Sequence, residues 1–427
     1  IMRFDSLSEW LRWQETLHFT EVDPGLERVR NVWQQMEGAT ELPFKVITVA
    51  GTNGKGSSVA ILDAILRAAG YKTGTYTSPH LLRYNERITL NGQDCEDDLI
   101  CYAFDKIDNA RSGISLTYFE FATLAAVDIF CQQHIDIAIL EVGMGGRLDA
   151  VNLFDADIAL ITPISLDHVT WLGNDRETIA FEKAGIIRLH HPVVCSESSP
   201  PKAVINYANS LQSPVFIANQ AFNYSQNDMT WRWSNPELEW FNLPLPNLEG
   251  RYQLQNAAAV LQVIALLIEQ DYDIKQQAIE SGLNNVHLAG RFQKITGSVD
   301  HIFDVTHNKQ GADNLAELLR EQHQSSKTIA VLAMLQDKDV SAVATALADA
   351  IDIWWIAGLD CQRGMSADEL ADKLKMVISE DKVEQEKDVE QAYRQALSYA
   401  KQGDRLLIFG SFHTVEAVMT AAPNLLN

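Results

Sequence analysis

Positive charge is scarce in this sequence. Lys and Arg number 34 against 57 Asp and Glu, which leaves a formal charge of −23. An extended nucleic-acid or anionic-membrane surface needs basic stripes, so neither is expected as a partner. A small anionic ligand stays open, because it needs only a local cluster of Lys, Arg and backbone N–H groups. Cysteine is sparse as well. Cys95, Cys101, Cys131, Cys195 and Cys361 are scattered, odd in number and free of any C-x-x-C pair. That argues against a disulfide framework and a zinc site, and fits a reducing compartment. Long apolar runs are missing: the most apolar stretch, 257–268, is broken by Gln262, and a membrane span needs roughly 20 residues. Arg3, Asp5, Glu9 and Arg12 interrupt the first residues, leaving no signal-peptide core. There is no internal repeat and no low-complexity tract. The expectation is a soluble, cytoplasmic, monomeric protein.

What is present is alternation. A chain of 427 residues is long for one hydrophobic core, so two domains are expected. Short β-rich runs at 45–50, 135–142, 157–164, 192–196 and 214–218 alternate with helical patterns such as 57–69 and 118–133. A second series has strands at 301–305, 328–332, 353–357 and 405–409, with helices at 312–322, 340–352, 367–377 and 389–401. Residues 222–246, with Trp231 and Trp233, resemble hairpin material, and 284–290 reads as a hinge. Such alternation predicts an α/β fold: a mostly parallel sheet flanked by helices over 1–286, and a smaller Rossmann-like α/β domain over 287–427. Ligands in such sheets bind at the carboxyl ends of the strands, and a cleft between two lobes is the default active site.

One loop carries chemistry by itself. After the apolar run 46–50 come Gly51, Thr52, Asn53, Gly54, Lys55, Gly56, Ser57 and Ser58, then a helical pattern. Glycines let backbone N–H groups converge on phosphate oxygens, and the helix N-terminus adds a favourable dipole. Lys55 would reach the outer phosphates and Ser57 would offer its hydroxyl to magnesium. The spacing departs from G-x-x-x-x-G-K-[ST], because Gly56 separates Lys55 from Ser57. Strand before, helix after and Lys inside favour ATP over a ligand-free turn.

Further motifs follow in order: Thr77-Ser78-Pro79-His80-Leu81, Ser115-Leu116-Thr117-Tyr118-Phe119-Glu120, Leu140-Glu141-Val142-Gly143-Met144-Gly145-Gly146-Arg147-Leu148-Asp149-Ala150 and Leu166-Asp167-His168. Glu182-Lys183-Ala184-Gly185-Ile186, Gly290-Arg291-Phe292, Phe303-Asp304-Val305-Thr306-His307-Asn308 and Gly410-Ser411-Phe412-His413 complete the series. With the variant loop, they resemble the folylpolyglutamate synthase family of the Mur-ligase superfamily over essentially the whole chain.

The resemblance implies a set of roles. Glu141 and His168 would coordinate magnesium, with Ser57 on one of two ions and Ser78 near the other. A carboxylate ending an apolar strand is costly unless it faces a site, which agrees. His168 alone would read as a structural histidine, and Asp167 would orient its ring. Lys183, by composition a surface lysine, would be carboxylated on its amine and become an anionic metal ligand. Thr52, Asn53, Gly54, Lys55, Gly56, Ser57, Asn256, Arg291 and Asp304 would bind ATP, with Arg291 acting on lobe closure. Taken alone, Asn256 reads equally as a helix-start cap. The family's Asp-x-Ala-His-Asn-Pro stands here with Thr306 and Lys309 at the two departures, which puts the local loop geometry in question.

The resemblance also implies a pterin site from Pro24, Gly25, Leu26 and Glu27, from Thr117, Tyr118, Phe119 and Glu120, and from Leu148, Asp149 and Ala150. Phe119 would offer a face to a flat heterocycle or pack in the core; Asp149 would accept from ring N–H groups. The implied chemistry is ATP-driven amide formation. A carboxylate of dihydropteroate or of a tetrahydrofolate glutamate would attack the γ-phosphate, with magnesium and Lys55 neutralising charge, and L-glutamate would then displace phosphate. His307 or residues 411–413 would help place glutamate. Two rivals stand beside this: a cell-wall ligase, expected to carry a further domain ahead of the loop, and a nucleotide switch, which has no use for Glu141, His168, Lys183 and Asp304 together.

Overall fold

A computed structural model describes residues 2–227, 229–322, 326–361 and 363–425. Asp228, inside the stretch read as a hairpin, lies outside them. The chain forms two compact units. The first comprises Ile1–Ser165, Leu172–Asn247 and Gln253–Val286; the second comprises Leu166–Trp171, Leu248–Tyr252 and His287–Asn427. Two short segments thus leave the first unit in sequence and belong to the second.

The first unit is built on an eight-stranded sheet: β1 (Lys45–Ala50), β2 (Thr73–Tyr76), β3 (Ile88–Leu90), β4 (Gln93–Asp94), β5 (Ile137–Glu141), β6 (Ile158–Ile161), β7 (Val193–Cys195) and β8 (Val215–Ile217). Their spatial order is β4-β3-β2-β5-β1-β6-β7-β8. Pairing is parallel from β2 through β8, and β3 and β4 fold back antiparallel at one edge. β1 and β5 are central and nearly wholly buried, which is why they read as continuous apolar runs. Helices Lys55–Ala68, Asp97–Ala110, Tyr118–Gln132, Arg176–Ala184 and Arg251–Glu269 belong to this unit or begin at its border. A separate sheet holds β9 (Asn223–Gln226), β10 (Thr230–Ser234) and β11 (Glu239–Pro244), antiparallel and closed by the stacked Trp233 and Trp240 rings.

Among the described residues the second unit has six strands: β12 (Gln293–Ile295), β13 (Asp300–Asp304), β14 (Thr328–Leu332), β15 (Ile353–Gly358), β16 (Val383–Asp388) and β17 (Arg405–Phe409). Their order is β12-β13-β17-β14-β15-β16, parallel except for β12 against β13. Helices Lys309–Glu321, Val340–Leu347, Ala367–Leu374, Val389–Tyr399 and Phe412–Ala421 accompany it. The mostly parallel α/β reading holds for both units. Several boundaries move, these among them. Lys55 and Gly56, read as loop, open the helix; β6 stops at Ile161 before Pro163; and the helix expected to reach 352 ends at Leu347. Among the described residues no helix is long and apolar enough to cross a membrane.

Candidate active site

The carboxyl end of β1 enters the glycine loop, where Gly51 and Gly54 hold φ of 153° and 89°. Thr52 and Asn53 both donate their N–H to the Pro163 carbonyl, at 2.9 and 3.3 Å, and the Thr52 hydroxyl donates to the Ser165 carbonyl at 3.0 Å. The first half of the loop is thereby tied to the segment following β6. The N–H groups left for an anion are those of the first helical turn, Lys55, Gly56 and Ser57, which no helix can satisfy internally. Asn256 abuts this turn: a Cβ on Gly54 would stand 2.5 Å from its Oδ1. It lies inside helix Arg251–Glu269, so the alternative of a helix-start cap falls away.

Two lysines converge on one carbonyl. Lys55 Nζ donates to Gly51 O at 3.2 Å and to Thr52 O at 3.3 Å, and Lys183 Nζ donates to the same Gly51 O at 2.8 Å. Lys183 is no surface lysine, being 5% exposed. Its helix can come this close because residues 143–146 pack under it: a Cβ on Gly146 would stand 2.8 Å from Glu182 O, and Arg147 N–H donates to that oxygen at 2.7 Å. Paired ammonium groups beside free helix N–H groups concentrate positive charge in an otherwise anionic protein.

Glu141 is the last residue of β5, facing Val49 of β1 in register, and its buried Oε2 accepts the Ser78 N–H at 3.3 Å. Ser57 is buried in the first turn beside the loop. Among the described residues no three His, Cys, Asp or Glu side chains gather as a cage. Magnesium bound through substrate phosphates needs only one or two protein carboxylates and keeps several waters. A buried strand-end carboxylate and a helix-start hydroxyl suit that donor set.

The three substrate segments of the first unit also meet. Gly25 N–H donates to Leu148 O at 3.2 Å, joining 24–27 to 148–150. Phe119 lies against Gly143, where a Cβ would come within 2.7 Å of its ring, and 5.6 Å from the Tyr76 ring. Asp149 receives the Met144 and Val151 N–H groups, both at 2.9 Å, and its neighbours Leu148 and Ala150 follow that turn. Burial pushes its carboxyl up to about 6, against those backbone hydrogen bonds and the charge of Lys55. Thr117 and Glu120 form a capping box for helix Tyr118–Gln132, and Glu120 also takes Arg28 at 2.8 Å. Glu120 is therefore committed to structure. Asp23 and Arg28, which pair with each other while Arg28 also reaches Glu120, escaped the sequence reading; their proximity to residues 24–27 was the available signal. Pro24 and Glu27 are exposed, with Glu27 opening helix Glu27–Gln35 after Leu26.

The second unit gathers its own cluster. Asp167 Oδ1 accepts Lys338 Nζ at 2.7 Å, and its Oδ2 lies 3.4 Å from His307 Nε2. His168, at φ 50°, lies 3.9 Å from Asp337, which also meets Lys338 at 3.4 Å. Burial opposes the Asp167 charge. His307, His168 and Lys338 outweigh it and hold the carboxyl well below the usual carboxylate range. Asp337 and Lys338 were also missed, although Asp337-Lys338-Asp339 is an abrupt charged triplet after the apolar run 328–335. Asp304 closes β13 and takes the Phe292 and Thr306 N–H groups, both at 2.8 Å, while Arg291 stacks over Phe412. The departures at 306 and 309 leave the loop intact: Asn308 caps the next helix and Lys309 begins it, paired with Asp313. Ser411 caps the helix that starts at Phe412, and His413 lies 3.6 Å from Glu416.

A phosphate loop on a parallel sheet, followed by a second α/β unit, defines a class. The family described as Mur ligase middle domain matches residues 49–264, and that described as Mur ligase, glutamate ligase domain matches 290–412. The dihydrofolate synthase/folylpolyglutamate synthase of Escherichia coli is 41% identical, over 97% of this chain and 94% of that protein. That of Bacillus subtilis is 31% identical, over 82% and 85%. Among solved structures, E. coli FolC in complex with DHPP and ADP superposes with a TM-score of 0.92 at 39% identity, covering 100% of each chain. A bifunctional folylpolyglutamate synthase/dihydrofolate synthase with Mn, AMPPNP and L-glutamate bound gives 0.90 at 41%, covering 99% of each. The chain belongs to the dihydrofolate synthase/folylpolyglutamate synthase family, and it is an ATP-dependent ligase.

Proposed function

We propose that the enzyme joins L-glutamate to dihydropteroate, giving dihydrofolate, and to tetrahydrofolate glutamates, lengthening their tails. The observation that carries this reading is the assembly, on one unit, of the phosphate loop with segments 24–27, 117–120 and 148–150 at the sheet's carboxyl ends. The free N–H groups of Lys55, Gly56 and Ser57 hold the ATP phosphates, with Thr52, Asn53 and Gly54 shaping the loop and Asn256 supporting it. Asn256, Arg291 and Asp304 are assigned to the nucleotide. The acceptor's carboxylate attacks the γ-phosphate while Lys55 neutralises charge on the transferring group, and ADP leaves. The amino group of L-glutamate then attacks the acyl phosphate and displaces phosphate, with His307 placing or deprotonating it. Ser57, Ser78, Glu141, His168 and a carboxylated Lys183 would hold magnesium, two ions in all, which would supply charge neutralisation at the phosphates.

Carboxylation suits the environment of Lys183. It would replace one of two crowded ammonium groups with an anion. The enzyme is read as a cytoplasmic monomer without nucleic-acid or membrane partners. The test supplies labelled glutamate and ATP to dihydropteroate and to tetrahydrofolate separately. Glutamate-dependent ATP hydrolysis with label in both products is expected; label in only one reduces the enzyme to a single activity, and label in neither removes the reading.

A further inference from the structure

The first unit half-buries five arginines, and four of them hold carboxylates. Arg28 takes Asp23 and Glu120, Arg111 takes Asp108, Arg147 takes Glu182 and Arg188 takes Asp155. Arg87 has no carboxylate partner among the described residues, in a chain of net charge −23 with acids to spare. Its guanidinium is nonetheless held in place. The carbon lies 5.6 Å from the Tyr84 ring centre and 5.4 Å from that of Tyr118, and Nε donates to His80 Nδ1 at 2.8 Å. Cation–π contacts on two rings fix the plane, and use of Nε leaves the two terminal NH₂ groups as the fork that matches a carboxylate.

A second observation comes from the same cluster. The Tyr84 hydroxyl is buried and makes no hydrogen bond among the described residues. A fixed guanidinium without an anion, beside a buried polar group without a partner, is the signature of a seat whose occupant arrives with the substrate. Its place is specific. The Arg87 carbonyl accepts the Thr77 N–H at 2.9 Å, next to Ser78, and Tyr118 adjoins Phe119 at the start of its helix. The seat thus adjoins both the proposed metal side and the proposed heterocycle side.

Resting on the proposed function, we infer that Arg87 binds an unreacting α-carboxylate of the folate's glutamyl tail. Dihydropteroate has a single carboxylate, the one that is activated. A glutamylated folate reacts at its terminal γ-carboxylate and carries one spectator α-carboxylate per glutamyl residue. A seat for a spectator carboxylate therefore has an occupant only in the second reaction, and it separates the two acceptors by affinity.

The test measures KM and kcat of wild type, Arg87→Ala and Arg87→Lys for dihydropteroate, for tetrahydrofolate monoglutamate and for L-glutamate. Loss of a charged hydrogen-bonded contact corresponds to roughly 10- to 100-fold, so Arg87→Ala is expected to raise KM for the glutamylated acceptor by that factor. KM for dihydropteroate and for L-glutamate should stay within about twofold, as for a contact the first reaction does not make. Arg87→Lys keeps the charge without the fork and should fall between. Parallel loss on both acceptors would place Arg87 at the reacting carboxylate and overturn the inference, as would a rise confined to the L-glutamate KM. Wild type inactive on both acceptors would instead remove the functional reading itself, and wild type inactive on tetrahydrofolate monoglutamate alone would overturn the inference.

Discussion

At the scale of single residues, burial decides which groups are chemically unusual. Asp149 is enclosed, and its carboxyl is raised from 3.8 to about 6 despite two backbone donors. A folded-state pKa above the unfolded one means that folding favours the protonated acid. Its contribution is fully present below about pH 4, declines from there to about pH 6, and is absent above. The rise from 3.8 to about 6 corresponds to about 3 kcal/mol. Asp149→Asn cannot titrate, so the stability of wild type relative to this variant is expected to fall by about that amount between pH 4 and pH 7. Paired denaturation midpoints across that range measure it; a constant difference would show that Asp149 ionises normally. Lys183 sits in comparable enclosure beside Lys55. Native mass measurement with bicarbonate is expected to show one added carboxylate that Lys183→Met lacks, and an unmodified wild type would leave the amine as it stands.

At the scale of elements, the loop between β1 and helix Lys55–Ala68 depends on Gly54. Its φ of 89° disfavours any side chain, and a Cβ there would press into Asn256 at 2.5 Å. Gly54→Ala is expected to cost roughly 1–2 kcal/mol of stability from backbone strain. It should also raise the ATP KM at least several-fold, because the first-turn N–H groups shift. Adding Asn256→Ala removes the collision but not the strain, so it should restore only part of the lost stability. Denaturation midpoints of both variants decide, and full restoration would place the whole stability effect in the collision. Strands β1, β14 and β17 were legible because they are buried on both faces and read as apolar runs. β16, with the sequence VEQEKD, was not, since an edge strand needs no apolar pattern. β2 is short and polar and packs its glycine against Phe130. The loop was legible because its chemistry is local. The meeting of Lys183 with Gly51, and of Asp167 with Lys338, joins residues 132 and 171 positions apart, which no local pattern encodes.

At the scale of the whole molecule, the notable feature is a segment whose allegiance differs from its neighbours. Leu166–Trp171 follows β6 and precedes helix Arg176–Ala184, both of the first unit, yet it belongs to the second. Asp167 is what holds it there, through Lys338 at 2.7 Å and His307 at 3.4 Å, with both the Asp and Lys side chains at most 10% exposed. Its carboxyl is held well below the usual range, so its contribution is present above about pH 4 and lost as pH falls below that. Removing one partner of a buried pair costs about 3–5 kcal/mol, because the other charge stays enclosed. Asp337, at 3.4 Å from Lys338, softens that for the lysine, and it reaches the segment through the longer 3.9 Å approach to His168. Asp167→Asn is therefore expected to release residues 166–171, where Leu166, Val169 and Trp171 are already exposed. Limited proteolysis at neutral pH should cut wild type slowly in this segment and the variant several-fold faster, with Lys338→Met behaving alike. Because His168 travels with the segment, the same variants should lose ligase turnover in proportion to cleavage. Cleavage unchanged in both would show that the apolar contacts of the segment, rather than its carboxylate, keep it on the second unit.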